Sequence, residues 1–129
     1  VSEGTNHGFL YQKNTMRDSM IAGMNLNIFN NHADCVKMAN LTKAVNVLQA
    51  VILTDKEKMI LTPTYHVMNI YKVHQDATLM PLSFDSPIYK FKEESLPALT
   101  VSASMDKNGK VHISFTNINT KIGNTVSIY

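Results

Sequence analysis

The sequence lacks several residues and patterns, and some of these absences exclude a class of protein. Its 129 residues contain one cysteine and no tryptophan. A single cysteine cannot form an internal disulfide, so the cysteine count leaves the cellular compartment open. No apolar run approaches the roughly 20 residues that a membrane-spanning helix requires. The formal net charge is only +2, whereas a nucleic-acid-binding protein carries a dense stripe of basic residues. We therefore expect neither a membrane-spanning nor a nucleic-acid-binding protein.

The composition that remains is that of a folded domain. Hydrophobic residues make up 44% of the chain and charged residues 17%, which excludes global disorder. The length suits one domain of ordinary size and is too short for two full ones.

The first third of the chain is predicted to contain a helix. Thr15 and Asp18 have the spacing of a capping box, in which a hydroxyl and a carboxylate satisfy free backbone N–H groups. Apolar residues then recur about every four positions, which predicts a core-facing stripe. They are Met16, Met20, Ile21, Met24, Ile28 and Phe29. The polar run 30–32 is typical of a helix end.

The middle of the chain mixes several signals. A short apolar run at 35–39 suits a strand, whereas Ala44 to Leu53 fits a helix or a strand equally well. Residues 55–58 form a charged turn. Thr62 followed by Pro63 predicts a second helix, because threonine caps and proline fits the first helical position; it ends near His74.

From Ala77 the apolar period changes to two, which predicts antiparallel strands. Residues 99–106 alternate apolar and polar side chains, as expected of a half-buried strand. Asn108-Gly109 is a strong hairpin signal, and alternation resumes at Val111. A third strand is predicted from Val126 to Ile128. The sequence thus predicts a helical segment followed by a β segment, with the boundary near Asp76.

Several ordered blocks of the sequence resemble the C-terminal part of family-51 glycoside hydrolases, the α-L-arabinofuranosidases. The blocks are Gly4-Thr5-Asn6, Gly8 to Gln12, Asn14-Thr15, Arg17-Asp18, Leu26 to His32, Val36 to Asn40, Val45 to Ala50, Leu61 to Val67 and Tyr71 to Gln75. Ordered blocks of this length are far more specific than a single short motif.

The resemblance implies a (β/α)8 TIM barrel followed by a β-sandwich of jelly-roll type, with this chain covering the end of both. The expected fold class is α+β: residues 1–76 are the last barrel elements, including the eighth strand around Val36 to Ala39, and residues 77–129 are an incomplete antiparallel β-sandwich. The implied activity is exo-acting, retaining release of terminal arabinofuranose from arabinan, arabinoxylan or their oligosaccharides, with no cofactor. Both catalytic glutamates are expected before Val1, on the rest of the barrel.

The acidic residues agree with that expectation. A retaining glycosidase needs two carboxyl groups roughly 5–5.5 Å apart. Adjacent Glu93 and Glu94 point apart in an extended segment, and the remaining carboxylates read as caps, turns and solvated surface charges. We therefore assign no catalytic residue to this chain and expect it to be inactive alone.

Two residues are expected near substrate. The resemblance implies a glutamine in the substrate pocket at the position that matches Lys43, so this sequence differs from the family there. Glutamine can both donate and accept hydrogen bonds, whereas lysine can only donate and carries a positive charge. Asn40 is a neighbouring polar candidate. Asn46 is another, but its side chain is at least as well explained as a local backbone cap.

The metal and thiol alternatives are weaker. His32, Asp34 and Cys35 lack the second ligand pair of a structural zinc site, and His66 and His74 are too far apart in sequence for a shared ion. Cys35 lacks the base and orienting group of a nucleophile and fits a small core residue. No metal is expected.

A second hypothesis is a self-standing β-sandwich that binds carbohydrate or protein, although the β piece offers few aromatic platforms. Under the first hypothesis the partners are the arabinose-containing substrate, through the full-length enzyme, and the rest of the barrel. A barrel fragment leaves apolar surface bare, so self-association or partial unfolding is also expected. Cytoplasm and periplasm both remain open.

Overall fold

The computed structural model describes residues 13–41, 44–47 and 50–129. Within these ranges two helices and a 3₁₀ turn lie beside three small antiparallel sheets, which agrees with the predicted α+β class. The elements in chain order are α1 (Met16–Asn31), β1 (Ile52–Asp55), β2 (Lys58–Leu61), α2 (Pro63–Tyr71), the 3₁₀ turn Lys72–His74, β3 (Thr78–Met80), β4 (Ile88–Phe91), β5 (Glu94–Pro97), β6 (Leu99–Met105) and β7 (Val111–Asn117).

Helix α1 begins and ends where the sequence predicts. Asp18 Oδ2 accepts hydrogen bonds from the backbone N–H of Thr15 at 2.7 Å and from its hydroxyl at 3.0 Å. The carboxylate thereby satisfies a donor at the helix start, where backbone N–H groups lack helical partners.

The face of α1 that is buried differs from the predicted one. The buried residues are Asp18, Ser19, Gly23 and Asn27, whereas Met16 is 68% exposed and Ile21 50% exposed. Packing of the apolar stripe on barrel strands stays a prediction, and its exposure here agrees with the apolar surface expected to be bare in a barrel fragment. The helix packs through small and polar side chains, because these allow close approach and hydrogen bonding to the sheet.

Helix α2 also follows its prediction. The Thr62 hydroxyl accepts from the backbone N–H of Tyr65 at 3.3 Å and lies 2.9 Å from the carbonyl oxygen of Ala50. Pro63 occupies the start of the helix. The helical segment ends in the 3₁₀ turn at His74, as expected.

The segment between the helices departs from the predictions. Val36 to Ala39, predicted as the eighth barrel strand, belongs to no strand, and no described strand pairs with it. Residues 44–53, for which the sequence favours neither helix nor strand, contain no helix among their described residues. An isolated bridge joins Val45 to Ile52. Strand β1 then pairs with β2 across a charged turn. The barrel origin of residues 1–76 remains a prediction.

The β piece is built on a three-stranded sheet in the order β3–β6–β7. Strands β6 and β7 pair from Leu99–Asn117 to Met105–Val111. Their turn has Gly109 at φ 79° and Asp106 Oδ1 accepting backbone N–H groups from Asn108 and Lys110. The predicted hairpin is confirmed. Strands β4 and β5 form a separate hairpin.

Strand β6 is buried on both faces, so its prediction as half-buried is wrong. Val101, Ser102, Ala103 and Ser104 are each at most 5% exposed. The hydroxyl side chains face the helices, and the apolar ones face the opposite way. The strand predicted from Val126 to Ile128 is not formed. Among the described residues no helix is long and apolar enough to cross a membrane.

Candidate functional site

The most connected group of polar side chains lies between the helices and the three-stranded sheet. We call it the helix–sheet network. Its members are Asn27 of α1, Tyr71 of α2, His74 of the 3₁₀ turn, Thr100, Ser102 and Ser104 of β6, and Ser114 and Thr116 of β7.

Asn27 is the centre of this network and is 1% exposed. Its Nδ2 group donates to Thr100 Oγ1 at 3.0 Å. Its Oδ1 atom accepts from Ser102 Oγ at 2.8 Å and lies 2.8 Å from the Tyr71 hydroxyl. A buried amide is tolerated when its donors and acceptor are satisfied, so Asn27 orients α1 on the sheet. Two neighbours extend the contact: Asn30 donates to Ser102 Oγ and Asn31 to the carbonyl of Val101.

Tyr71 connects both helices to β7. Its hydroxyl lies 3.0 Å from the Gly23 carbonyl oxygen and 3.3 Å from Thr116 Oγ1, besides its contact with Asn27. The hydroxyl has one proton, so it donates to one carbonyl oxygen at a time and can accept from Thr116. Burial raises the pKa of Tyr71, while its bonds to Thr116 and Asn27 act in the opposite direction. The phenol therefore remains a donor at neutral pH.

Gly23 is where α1 comes closest to the sheet. A Cβ atom at this position would lie 2.6 Å from Thr116 Oγ1, which is closer than packed atoms allow. Any larger residue at position 23 therefore requires the Thr116 side chain or the helix to shift.

His74 ties the 3₁₀ turn to both long strands. Its Nδ1 lies 2.7 Å from Ser104 Oγ, and its Nε2 lies 2.7 Å from Ser114 Oγ. Burial lowers the pKa of His74, and repulsion from His112 lowers it further. The ring is therefore neutral at neutral pH, with one nitrogen donating and the other accepting.

The acidic member of this region is Asp106, beside His112. Asp106 Oδ2 lies 3.1 Å from His112 Nε2. The hydrogen bond from His112 lowers the pKa of Asp106, and the backbone N–H groups of Lys110 and Asn108 add to this. This carboxylate is occupied on both oxygens and closes the β6–β7 turn.

The chemistry available in the network is structural. A serine nucleophile needs an adjacent base, an orienting group and access for substrate. Ser104 and Ser114 are 5% and 7% exposed, and both nitrogens of His74 already contact hydroxyls. The network holds helices to the sheet and leaves no reactive group open.

The sequence-predicted substrate residues are not brought into this network. Asn40 is exposed and its Nδ2 contacts Met38 Sδ at 3.4 Å; it lines a groove between α1 and α2, with Ile21, Phe29 and Met68. Lys43 lies outside the described residues. Asn46 hydrogen-bonds Thr54 through both its amide nitrogen and its carbonyl oxygen, so the local-cap interpretation is confirmed.

The alternative thiol and metal sites are also not assembled. Cys35 is exposed, so its interpretation as a core residue is wrong, and its Sγ points to the carbonyl of His32 at 3.5 Å. In the part of the chain that the structure describes, no group of three or more His, Cys, Asp or Glu side chains could hold a metal ion.

Sequence reasoning missed the network, although two signals for it were present. Ser19, Gly23 and Asn27 recur every four residues along α1, and Thr100, Ser102 and Ser104 alternate along β6. Both patterns read as solvent-facing, because small polar residues are exposed more often than not.

The matches between this chain and known proteins extend over almost its whole length. Residues 1–128 match the family model of the α-L-arabinofuranosidase C-terminal domain. An intracellular exo-α-L-arabinofuranosidase from Bacteroides ovatus is 41% identical over 126 residues, which cover 97% of this chain and 24% of that protein. The crystal structure of the GH51 arabinofuranosidase from Xanthomonas axonopodis pv. citri is 49% identical, with a TM-score of 0.86 over 94% of this chain and 24% of that one.

The chain thus spans about a quarter of the length of both relatives. The two helices and the mainly antiparallel sheets are those of a β-rich C-terminal domain. This chain belongs to the α-L-arabinofuranosidase C-terminal domain family, in the family-51 glycoside hydrolases.

Proposed function

We propose that this chain is the C-terminal segment of an exo-acting, retaining α-L-arabinofuranosidase that releases terminal arabinofuranose from arabinan- or arabinoxylan-type chains. The observation that carries the proposal is the 49% identity and TM-score of 0.86 to a GH51 arabinofuranosidase over 94% of the chain. The relative from Bacteroides ovatus is named as exo-acting, which supports the mode of attack.

The catalytic carboxylates are proposed to lie on the rest of such a polypeptide. Retaining hydrolysis uses an acid/base and a nucleophile roughly 5–5.5 Å apart. Asp18 and Asp106 are both occupied in structural hydrogen bonds. Glu93 lies in the turn of the β4–β5 hairpin and Glu94 begins β5, and both are exposed. These positions of the carboxylates favour a structural role for the chain over a catalytic one.

The exposed apolar side chains support the same assignment. The outward face of α1 and the hairpin strand β2 leave Ile21, Ile28, Met59 and Ile60 between 47% and 64% exposed. Scattered exposed apolar residues are normal, but a group of them on one helix face or one strand is typical of a surface that another part of a protein covers. We propose that the remainder of the barrel covers it, and that the isolated chain self-associates.

The test compares hydrolysis of an aryl α-L-arabinofuranoside by the 129-residue chain and by the full-length polypeptide. Activity is expected only in the full-length protein. Activity in the chain alone would contradict the upstream location of the carboxylates. No activity in either, together with saturable binding of arabino-oligosaccharide to the chain, would favour the binding-module hypothesis.

Lys43 and Asn40 remain proposed substrate residues. In the full-length protein, Lys43→Ala and Asn40→Ala are expected to raise KM for the aryl arabinofuranoside, because each removes a polar contact to sugar. Lys37→Ala is the matched control, since Lys37 is exposed and its Nζ only contacts the carbonyl of Ala33. Equal kinetics in all three variants would remove both residues from the site.

A further inference from the structure

The three-stranded sheet ends at β7, and the outer edge of this strand has no partner strand among the described residues. The strand order is β3–β6–β7, so β7 pairs with β6 on one side only. The backbone hydrogen bond from Ile118 N to the carbonyl oxygen of Ala98 fixes which residues of β7 face β6. Because the hydrogen-bonding direction alternates along an antiparallel strand, the backbone groups of residues 112, 114 and 116 point toward β6 and those of 111, 113 and 115 point outward.

This edge lacks the features that normally keep an exposed strand from pairing. Such edges are protected by short length, charged residues, proline or a bulge. Strand β7 has seven residues with no charged side chain at neutral pH and no proline, and it pairs with β6 without a bulge. The opposite edge, β3, has only three residues. The strands of the two other described sheets have four residues each, and each carries a charge or a proline.

Apolar side chains border this edge on both sides of the sheet. On the side away from the helices, Val111, Ile113 and Phe115 are between 37% and 46% exposed. On the helix side, a groove of about 290 Å³ lies between β7 and the two helices, and Met16 and Ile70 line it. Both of these side chains are more than half exposed. A strand added at the edge therefore satisfies backbone groups and shields apolar surface at the same time.

The sequence of β7 is complementary to itself in an antiparallel arrangement. Pairing two copies about a two-fold axis at Ser114 places Ser114 opposite its equivalent. Ile113 of one copy then lies opposite Phe115 of the other, a pair of β-branched and aromatic side chains that stabilises sheets. The outward N–H and C=O groups of these two residues bond reciprocally. On the helix side His112 lies opposite Thr116, so no two like charges oppose each other.

We propose that two copies of this chain pair through their β7 strands. The two three-stranded sheets then join into one continuous antiparallel sheet, with the helices of both copies on the same side. Such a contact is closed, because each copy uses the same surface and no edge remains open there. This proposal gives the self-association of the chain a defined surface. It does not depend on the proposed hydrolase activity.

A single engineered cysteine tests this pairing in the full-length protein. Directly opposed Cα atoms in a non-hydrogen-bonded antiparallel pair lie about 4.5 Å apart, which a disulfide can bridge. In a Cys35→Ser background, Ser114→Cys is expected to form a covalent dimer when oxidised glutathione takes up the two thiol hydrogens. His112→Cys is the matched control, because position 112 lies about 13 Å from its equivalent in the paired strands. The dimer yield on a non-reducing gel should be at least about tenfold higher for Ser114→Cys.

Ile113→Pro supplies a second arm. It removes an outward N–H and leaves the hydrogen bonds between β7 and β6 in place. Added to Ser114→Cys, it should lower the dimer yield to that of His112→Cys, with circular dichroism showing that each variant is folded. If Ile113→Pro does not fold, the comparison of the two cysteine variants still decides.

Equal yields from Ser114→Cys and His112→Cys would overturn the proposal. Slow hydrogen exchange of amides 113 and 115 without any cross-link in Ser114→Cys would also overturn it, because another strand of the same polypeptide would then occupy the edge. The cross-linking readout is independent of hydrolysis, so its failure is distinguishable from failure of the proposed function.

Discussion

The two faces of the β6–β7 hairpin are built in opposite ways. The face toward the helices carries hydroxyls and is closed by the amide of Asn27, the phenol of Tyr71 and the ring of His74. The other face carries apolar side chains, and there Ile113 and Phe115 are 37% and 44% exposed. On this face Val101 and Ala103 of β6 are buried, so the chain completes its polar interface by itself and leaves only the β7 side of its apolar one partly open.

This difference bears on the proposal that the rest of the polypeptide covers the exposed apolar side chains. Directional hydrogen bonds fix the position of the helices with little apolar burial. The apolar face lacks full cover from the described residues: segments around Phe84 and Ile128 line a cavity with Val101 and Phe115. Substitutions on the two faces should therefore respond differently to the presence of the rest of the polypeptide.

The largest expected effect is at Asn27. Asn27→Leu removes the amide partner of Thr100, Ser102 and Tyr71. Ser102 and Tyr71 keep contacts with Asn30 and with the Gly23 carbonyl, so the loss combines several weakened buried hydrogen bonds, each about 0.5–1.5 kcal/mol, with the poor fit of leucine in a polar site. We expect a loss of about 3–5 kcal/mol, measured by urea unfolding. Asn25→Leu is the control, because Asn25 is exposed on the same helix; a similar loss there would contradict a specific role for the network.

Gly23→Ala should have the next largest effect. The added methyl group meets Thr116 Oγ1 at 2.6 Å, so we expect a loss of about 1–3 kcal/mol. Thr116→Ala in the same protein should recover part of it, which a double-mutant cycle would show as coupling between the sites. Gly123→Ala has open space and should be nearly neutral. If the two substitutions were not coupled, the loss of stability in Gly23→Ala would not come from contact with Thr116.

Phe115→Ala sharpens the comparison from the apolar side. With the side chain 44% exposed, we expect a loss of about 1–2 kcal/mol in this chain, well below the 3–5 kcal/mol typical of a buried phenylalanine. In the full-length protein the loss should approach that larger value. Phe91→Ala, on the separate β4–β5 hairpin and 62% exposed, is the comparison. An equal loss at Phe115 in both backgrounds would mean that nothing covers this face.

The smallest effect is expected from substituting Asp106, in the turn that joins β6 and β7. The pKa of Asp106 is lowered in the folded protein, so its stabilising contribution is present above its unfolded pKa of about 3.8. That contribution is lost as the pH falls through the lower, folded pKa. Asp106→Asn should flatten this part of the Tm-against-pH profile, whereas Asp85→Asn, at an exposed position, should leave it unchanged. An unchanged profile in Asp106→Asn would assign the acid loss to other groups.

How far the sequence predicts this fold depends on whether the signal is local. The cap at Thr15, the Thr62-Pro63 helix start and the Asn108-Gly109 hairpin are each decided by neighbouring residues, and each is confirmed. The strand expected at Val36 to Ala39 required a partner strand, and no such pairing exists among the described residues.

The buried faces were missed for a different reason. Asn27 contacts residues more than 70 positions away, and no local pattern shows which distant hydroxyls meet an amide. Apolar periodicity identified the methionine stripe as core, but the described part of the chain covers the other side of α1. Asn40 and Lys43 rest on the resemblance alone: Asn40 lines the groove between α1 and α2, Lys43 lies outside the described residues, and both stay predictions.

The long sequence separation within the network has a consequence during synthesis. Asn27 and Ser102 are 75 residues apart, so at about 5–20 residues per second α1 emerges roughly 4–15 s before its partner strand. A helix face of serine, glycine and asparagine can remain hydrated during this interval with little tendency to aggregate. Ribosome-bound chains should therefore acquire the helix–sheet contact late, as a final step that sets the helix in place once the β6–β7 hairpin has formed.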